Sequence, residues 1–101
     1  MKIIIVGCGK VGFQIAKQLD DEGHDITVID NNTYVLNKIT NILDVDVING
    51  NGASTDTLNA AKVDQANLVI ASTSSDEINI ICCFIAKKIR SRPYHCSYSK
   101  S

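Results

Sequence analysis

Three glycines and one aspartate carry the most legible chemistry in this chain. Gly7, Gly9 and Gly12 form a G-x-G-x-x-G directly after the apolar run Ile3-Ile4-Ile5-Val6, and a helical pattern (Val11, Ile15, Ala16, Leu19) follows. Strand, glycine turn and helix in that order is the context a dinucleotide-binding fingerprint requires. Gly7 is expected to make the tight turn, Gly9 to let backbone approach a pyrophosphate, and Gly12 to let the helix pack close to the strand. The helix start adds unpaired N–H groups and a partial positive charge, both suited to phosphate. The fingerprint also needs an acidic residue about 20 positions on. Asp25-Ile-Thr-Val-Ile-Asp30 provides one, ending on Asp30, 18 residues after Gly12. A carboxylate there can accept hydrogen bonds from both hydroxyls of a ribose and would repel a 2′-phosphate. Asn31 and Asn32 follow it, not arginine. The expected ligand is therefore NAD(H) or an adenine nucleotide such as ATP or ADP, with NADP disfavoured. Capping of the next helix is a second, compatible role for Asp30.

Other residues should gather near this turn. In an open α/β sheet the ligand sits beyond the carboxyl ends of the strands, where strand order reverses. The tip of the fourth strand is Ser72-Thr73-Ser74, whose hydroxyls and N–H groups would lie near the phosphates; Ser74 could equally cap the helix that follows. The loop Asn49-Gly-Asn-Gly-Ala-Ser54 lies on the adenine side and either lines the base or is simply a turn. Lys10 could meet a terminal phosphate as a point charge, or be a solvated lysine on the first helical turn. Cys8, at a helix N-terminus where thiol pKa values tend to fall, is expected to be sensitive to alkylation.

The elements that must position these residues alternate as strand and helix. Strands are predicted at 2–6, 25–29, 45–48 and 68–71, and helices at about 10–22 (helix A), from 32 (helix B), at 55–61 (helix C) and from 74 to about 89 (helix D). Helix B should bury Val35, Leu36, Ile39, Ile42 and Leu43 on one face. Ser74-Ser-Asp-Glu77 reads as a capping box opening helix D. Pro93 punctuates before a weakly patterned last segment, in whose irregular chain His95 falls. Such alternation implies a Rossmann-like, doubly wound parallel sheet of order 3-2-1-4-5. No repeat, linker or low-complexity stretch divides residues 1–101, so a single domain is expected.

Composition narrows the function classes. The chain has 101 residues, 45% of them apolar, and a net charge of −1. Such a balance gives no electrostatic footprint for nucleic acid or an anionic membrane. The longest apolar run, Ile80 to Ala86, is far short of a membrane span, and no signal peptide is recognisable; a cytoplasmic protein is expected. Cys8, Cys82, Cys83 and Cys96 form no C-x-x-C, and His24 and His95 stand at no metal-ligand spacing. No metal site is expected, and Cys82 and Cys83 read as small hydrophobes in an apolar helix.

Taken together, the opening M-K-I-I-I-V-G-x-G-x-V-G, the G-H-D-I-T-V-I-D ending at Asp30, the N-G-N-G-A-S at 49–54 and the S-T-S-S-D-E-I-N at 72–79 resemble one family. It is the N-terminal nucleotide-binding domain of the TrkA proteins, cytosolic regulatory subunits of bacterial Trk/Ktr potassium uptake systems, also called the RCK or KTN domain. The resemblance spans roughly residues 1–90. It implies a non-enzymatic regulator that binds NAD(H) or ATP/ADP, at the inner face of the cell membrane, and passes that state to a membrane-embedded potassium channel subunit. By position, it places the ligand contacts at Gly7, Cys8, Gly9, Lys10 and Val11, at Asp30, and at Thr73 with Ser74. The tail 91–101 departs from the family: Tyr98 stands where an arginine would reach the ligand, and the family's last helix and strand have no counterpart here.

Two further expectations concern assembly and chemistry. Helix D is apolar around most of its circumference (Ile78, Ile80, Ile81, Cys82, Cys83, Phe84, Ile85, Ala86), more than one sheet-facing stripe needs. A second subunit covering it, as a homodimer or a higher ring, is expected. The alternative function is the N-terminal fragment of an NAD-dependent dehydrogenase. Hydride transfer needs a proton donor or acceptor beside the nicotinamide. The one Tyr-x-x-x-Lys pattern, Tyr34 to Lys38, falls on the adenosine side instead. No catalytic residue is assigned.

Overall fold

A computed structural model describes residues 1–89 and the backbone of strand 95–98. Five strands, β1 (Lys2–Val6), β2 (Asp25–Asp30), β3 (Asp46–Asn49), β4 (Leu68–Ala71) and β5 (His95–Tyr98), alternate with α1 (Lys10–Asp21), α2 (Thr33–Ile42), α3 (Thr55–Ala60) and α4 (Asp76–Ile89). They form one sheet in the order β3-β2-β1-β4-β5. Every pairing is parallel. This is the doubly wound arrangement expected from the alternation of periods. The fifth strand forms despite its weak pattern, because its backbone continues the ladder of β4, with His95 opposite Leu68 and Tyr98 opposite Ala71. His95, expected in irregular chain, therefore opens a strand. Pro93 and the rest of the tail lie outside the described residues, as do the side chains at 95–98.

The central strand explains the two cores. Successive side chains of a strand point to opposite faces. Ile4 and Val6 enter a cluster with Leu58, Val63, Val69, Cys82 and Ala86, under α3 and α4. Ile3 and Ile5 enter a second cluster with Ala16, Ile26, Val28, Leu36 and Ile39, under α1 and α2. All four are fully enclosed apart from a trace of Val6. This is why β1 reads as an unbroken apolar run: both of its faces are covered.

The helices bury narrower stripes than their apolar patterns imply. On α2, Leu36 and Ile39 are buried, with Leu43 just beyond, whereas Ile42 is 55% exposed. On α4, Cys82 and Ala86 face the core while Ile80, Ile81 and Phe84 face outward. Cys82 is apolar filler as expected; Cys83, read the same way, is disulfide-bonded. No helix among the described residues is long and apolar enough to cross a membrane.

Truncating Ile4 tests this packing. Ile4→Ala should cost about 2–5 kcal/mol through lost transfer energy and the cavity left behind. The loss would be read as a lower denaturant midpoint at unchanged slope. A cost within about 0.5 kcal/mol, the usual range at a surface site, would contradict the enclosed position.

Candidate functional site

The carboxyl ends of β1, β2 and β4 and the loop after β3 enclose a cleft of about 540 Å³. Gly7, Cys8, Gly9, Lys10, Val11, Asp30, Thr73 and Ser74 all line it. Gly12 alone of the sequence-assigned positions does not, and its task is structural. A Cβ on Gly12 would run into the carbonyl oxygen of Gly7, so α1 can approach β1 only with glycine here. Gly7 takes a positive φ of 88° and is wedged against Thr73, whose backbone lies 2.8 Å from where a Cβ would stand. Its N–H donates to the carbonyl of Ile29 (2.7 Å), and its own carbonyl accepts from the Ser72 hydroxyl (2.8 Å). The turn is thereby fastened to both neighbouring strands.

Gly9 is the N-cap of α1 and brings no side-chain hydrogen bond to it. A Cβ on Gly9 would meet nothing within 4 Å. The first N–H groups of a helix lack intrahelical partners. Here they open onto the cleft beside an unobstructed glycine. That geometry fits an anionic group such as a phosphate. Lys10 and Val11 flank the opening, both exposed, and Val11 does not join the buried stripe of α1.

Asp30 sits at the tip of β2 and holds two loops at once. Its Oδ2 accepts from the N–H of Cys8 (2.8 Å), and its Oδ1 accepts from the N–H of Asn32 (2.9 Å). Each carboxylate oxygen has a further acceptor position, so a ribose can still be met. The cap of α2 is Asn32, whose side chain accepts from Tyr34 and Val35. Asp30 therefore tethers the glycine turn and supports the residue that caps the helix. The loop after β3 contributes Gly50, Asn51 and Gly52 to the cleft wall. It is also a turn, since Asn51 accepts from the N–H of Ala53 (2.8 Å).

The loop after β4 differs from the expected capping box. Ser75, not Ser74, caps α4: its hydroxyl accepts from the N–H of Ile78 (3.2 Å) and its carbonyl from the N–H of Asn79 (3.1 Å). Ser74 is left exposed at the cleft. Asn79 is the residue that sequence reasoning passed over. It is fully buried, and its Oδ1 accepts from the N–H of Thr73 (3.0 Å) and lies 2.7 Å from the Thr73 hydroxyl, while its Nδ2 donates to the Thr73 carbonyl (3.2 Å). An amide at a core-facing position of an apolar helix was the available signal.

Cys8 corrects the expectation of a reactive thiol. It is buried, and burial, with the Asp30 carboxylate adding to it, pushes the thiol up from 9.0 to about 11. The helix N-terminus is outweighed because the side chain turns into the core under α1 and α2. Among the described residues no group of three His, Cys, Asp or Glu could hold a metal ion.

The Cys8 environment has two measurable consequences. Folded Cys8 should react with iodoacetamide at pH 7.5 far more slowly than the unfolded chain does. The unfolded thiol ionises near pH 9 while the folded one keeps its proton, so stability should fall as pH rises from about 9 to about 11. Cys82, also pushed up to about 11 by burial, adds to that slope. Cys8→Ala should make the decline shallower; equal labelling rates in folded and unfolded protein would refute the burial.

The TrkA-N domain family model matches residues 3–98. The chain is 38% identical over 93 residues to the Trk system potassium uptake protein TrkA of Vibrio alginolyticus, covering 92% of this chain and 20% of that protein. It is 42% identical over 89 residues to TrkA homolog 2 of Methanosarcina mazei, covering 88% and 19%. It thus spans about a fifth of the length of these relatives. Among solved structures, the GsuK channel bound to NAD superposes with a TM-score of 0.82 at 19% identity, over 98% of this chain and 18% of that one. The Kef C-terminal domain of Shewanella denitrificans in its AMP-bound form gives 0.77 at 21%, over 96% and 57%. At such identities these two structures speak for the fold alone, whereas the family match covers nearly every residue from β1 to β5: the chain belongs to the TrkA-N domain family.

Proposed function

We propose that this chain is a nucleotide-binding regulatory module of a potassium uptake system, binding NAD(H) or ATP/ADP in the cleft and controlling a membrane-embedded Trk/Ktr channel subunit from the cytoplasmic side. The observation that carries the reading is the pairing of an open, uncapped helix start at Gly9 with the fixed Asp30 carboxylate across one cleft. The relatives are named potassium uptake proteins, and folds of this kind are known with NAD and with AMP bound. In this reading Gly7 to Val11 hold the phosphates, with Lys10 supplying positive charge. Asp30 accepts from the ribose, and Thr73 and Ser74 close the wall beside the phosphates. Asp30 also discriminates against a 2′-phosphate, which would crowd a second negative charge against it.

The role read here is regulatory, in keeping with relatives named potassium uptake proteins. Tyr34 is 75% exposed on α2, outside the lining. Regulation then requires that the nucleotide favour one of two arrangements of an assembly. The outward face of α4, with Ile80, Ile81 and Phe84 exposed, is the surface on which a second copy would pack as a homodimer or within a larger ring.

Three measurements test the proposal. Melting against NAD, NADH, NADP, ATP, ADP and AMP should show stabilisation by non-phosphorylated-ribose nucleotides and little by NADP. A ligand at 100 times its dissociation constant adds about 2.7 kcal/mol. Asp30→Ala should weaken the bound nucleotide by about 10- to 100-fold, the equivalent of roughly 1.5–3 kcal/mol for charge-assisted hydrogen bonds. Unchanged affinity would remove Asp30 from the site. Sedimentation at tens of micromolar should give a mass above that of the monomer, reduced by Phe84→Glu; a monomeric wild type would defeat the assembly.

A further inference from the structure

Asn79 makes an unusual set of contacts for a core residue. Its relative accessibility is 0%, and it lies on α4 near Cys82 and Ala86, among side chains that carry almost no polar atoms. Burying an amide in such surroundings is costly unless its polar atoms are bonded. The amide engages the N–H, the carbonyl and the hydroxyl of Thr73 together. A spacing of six residues is not a helical contact, so the interaction fixes the loop relative to the helix and adds nothing to the helix itself.

The consequence falls on the cleft. The Thr73 N–H is given to Asn79 and its carbonyl already accepts from the same amide, so little of its backbone is left to a ligand, although Thr73 lines the cavity. The Thr73 hydroxyl is also drawn inward, receiving the N–H of Ser75 (3.2 Å) and lying 3.1 Å from the Ser75 carbonyl. Ser74, between these fastened neighbours, is held out at the cleft surface. The same fastening sets Thr73 against Gly7, closing the glycine turn from the β4 side.

We propose that Asn79 is a positioning residue for the nucleotide cleft: by binding Thr73 on three sides it presents Ser74 to the ligand and presses Thr73 against the Gly7 turn. The inference rests on the nucleotide reading given above. It assigns the polar contact from this loop to Ser74, leaving Thr73 to supply shape.

The test compares binding with folding. Asn79→Leu keeps the branched outline with somewhat larger methyl groups and removes every side-chain bond to Thr73. Asn79→Asp keeps an acceptor for the Thr73 N–H and loses the donor to its carbonyl. Titrations with NADH and with AMP would be run at a temperature where each variant is folded by circular dichroism. The expected result is at least a tenfold weaker dissociation constant for Asn79→Leu, a smaller loss for Asn79→Asp, and faster amide hydrogen exchange at Thr73 in the leucine variant. If Asn79→Leu does not fold, Thr73→Val removes the hydroxyl bonds from outside the core and should weaken both probes by several fold. A lower melting temperature with dissociation constants within twofold of wild type would mean a purely structural amide and overturn the inference alone. Wild-type protein that binds neither probe would overturn the nucleotide reading and this inference with it.

Discussion

The reversal at Gly7 is the constraint on which the rest of the structure depends. A strand covered on both faces must stop, turn through a positive φ and launch a helix within three residues. Backbone meets backbone there, Gly7 to Ile29 on one side, Ser72 to Val6 on the other and Gly12 against the Gly7 carbonyl from above, and the Ser72 hydroxyl and the Asp30 carboxylate fasten the turn further. Side chains larger than hydrogen are excluded at Gly7 and Gly12 by contact, and the chain has no slack elsewhere to absorb one. The two cores are built outward from this strand, one on each face, so the turn and the hydrophobic interior share a single anchor.

Charge is used sparingly around the cleft. Among the described residues Lys10 and Asp30 are the two ionic side chains lining it, and the carboxylate accepts from the backbone N–H groups of Cys8 and Asn32. Backbone dipoles therefore do the work that salt bridges do at many sites. Two charged-group contacts, Lys2 with Asp25 and His24 with Glu22, lie at the other end of the sheet near the amino terminus. That separation keeps the ligand end of the sheet open and weakly charged, suited to a ligand that brings its own charge.

How much was legible in the sequence depended on the range of the interactions involved. The glycine turn, the β2 tip at Asp30 and the sheet order follow from local pattern, because each element must satisfy its own backbone and bury its own apolar face. The strand at 95–98 was harder: its four residues carry little apolar alternation, and its place comes from the ladder that β4 offers. The cap of α4 was displaced by one residue because Ser74 and Ser75 are chemically equal, and the choice is made by Thr73 bonding to Asn79 six residues away. The Cys8 expectation failed for a similar reason. A rule about helix termini assumes exposure, whereas burial and a carboxylate from 22 residues along the chain decide the thiol. Breadth of apolar pattern also misled at Ile42, which the sheet leaves outside because α2 presents only its Leu36–Ile39 edge.

Asp30 links two properties that are often treated as separable. A residue that only recognised a ribose could be exchanged to change which cofactor the protein prefers, leaving the scaffold untouched. Here the same two oxygens hold the N–H groups of Cys8 and Asn32. Replacing the carboxylate with a small neutral side chain, the usual route toward accepting a phosphorylated ribose, would release the glycine turn and the start of α2 together. If the cleft takes a nucleotide as proposed, its preference is tied to the folding of its own walls, and a redesign would have to supply new acceptors for both backbone groups before it could alter the choice.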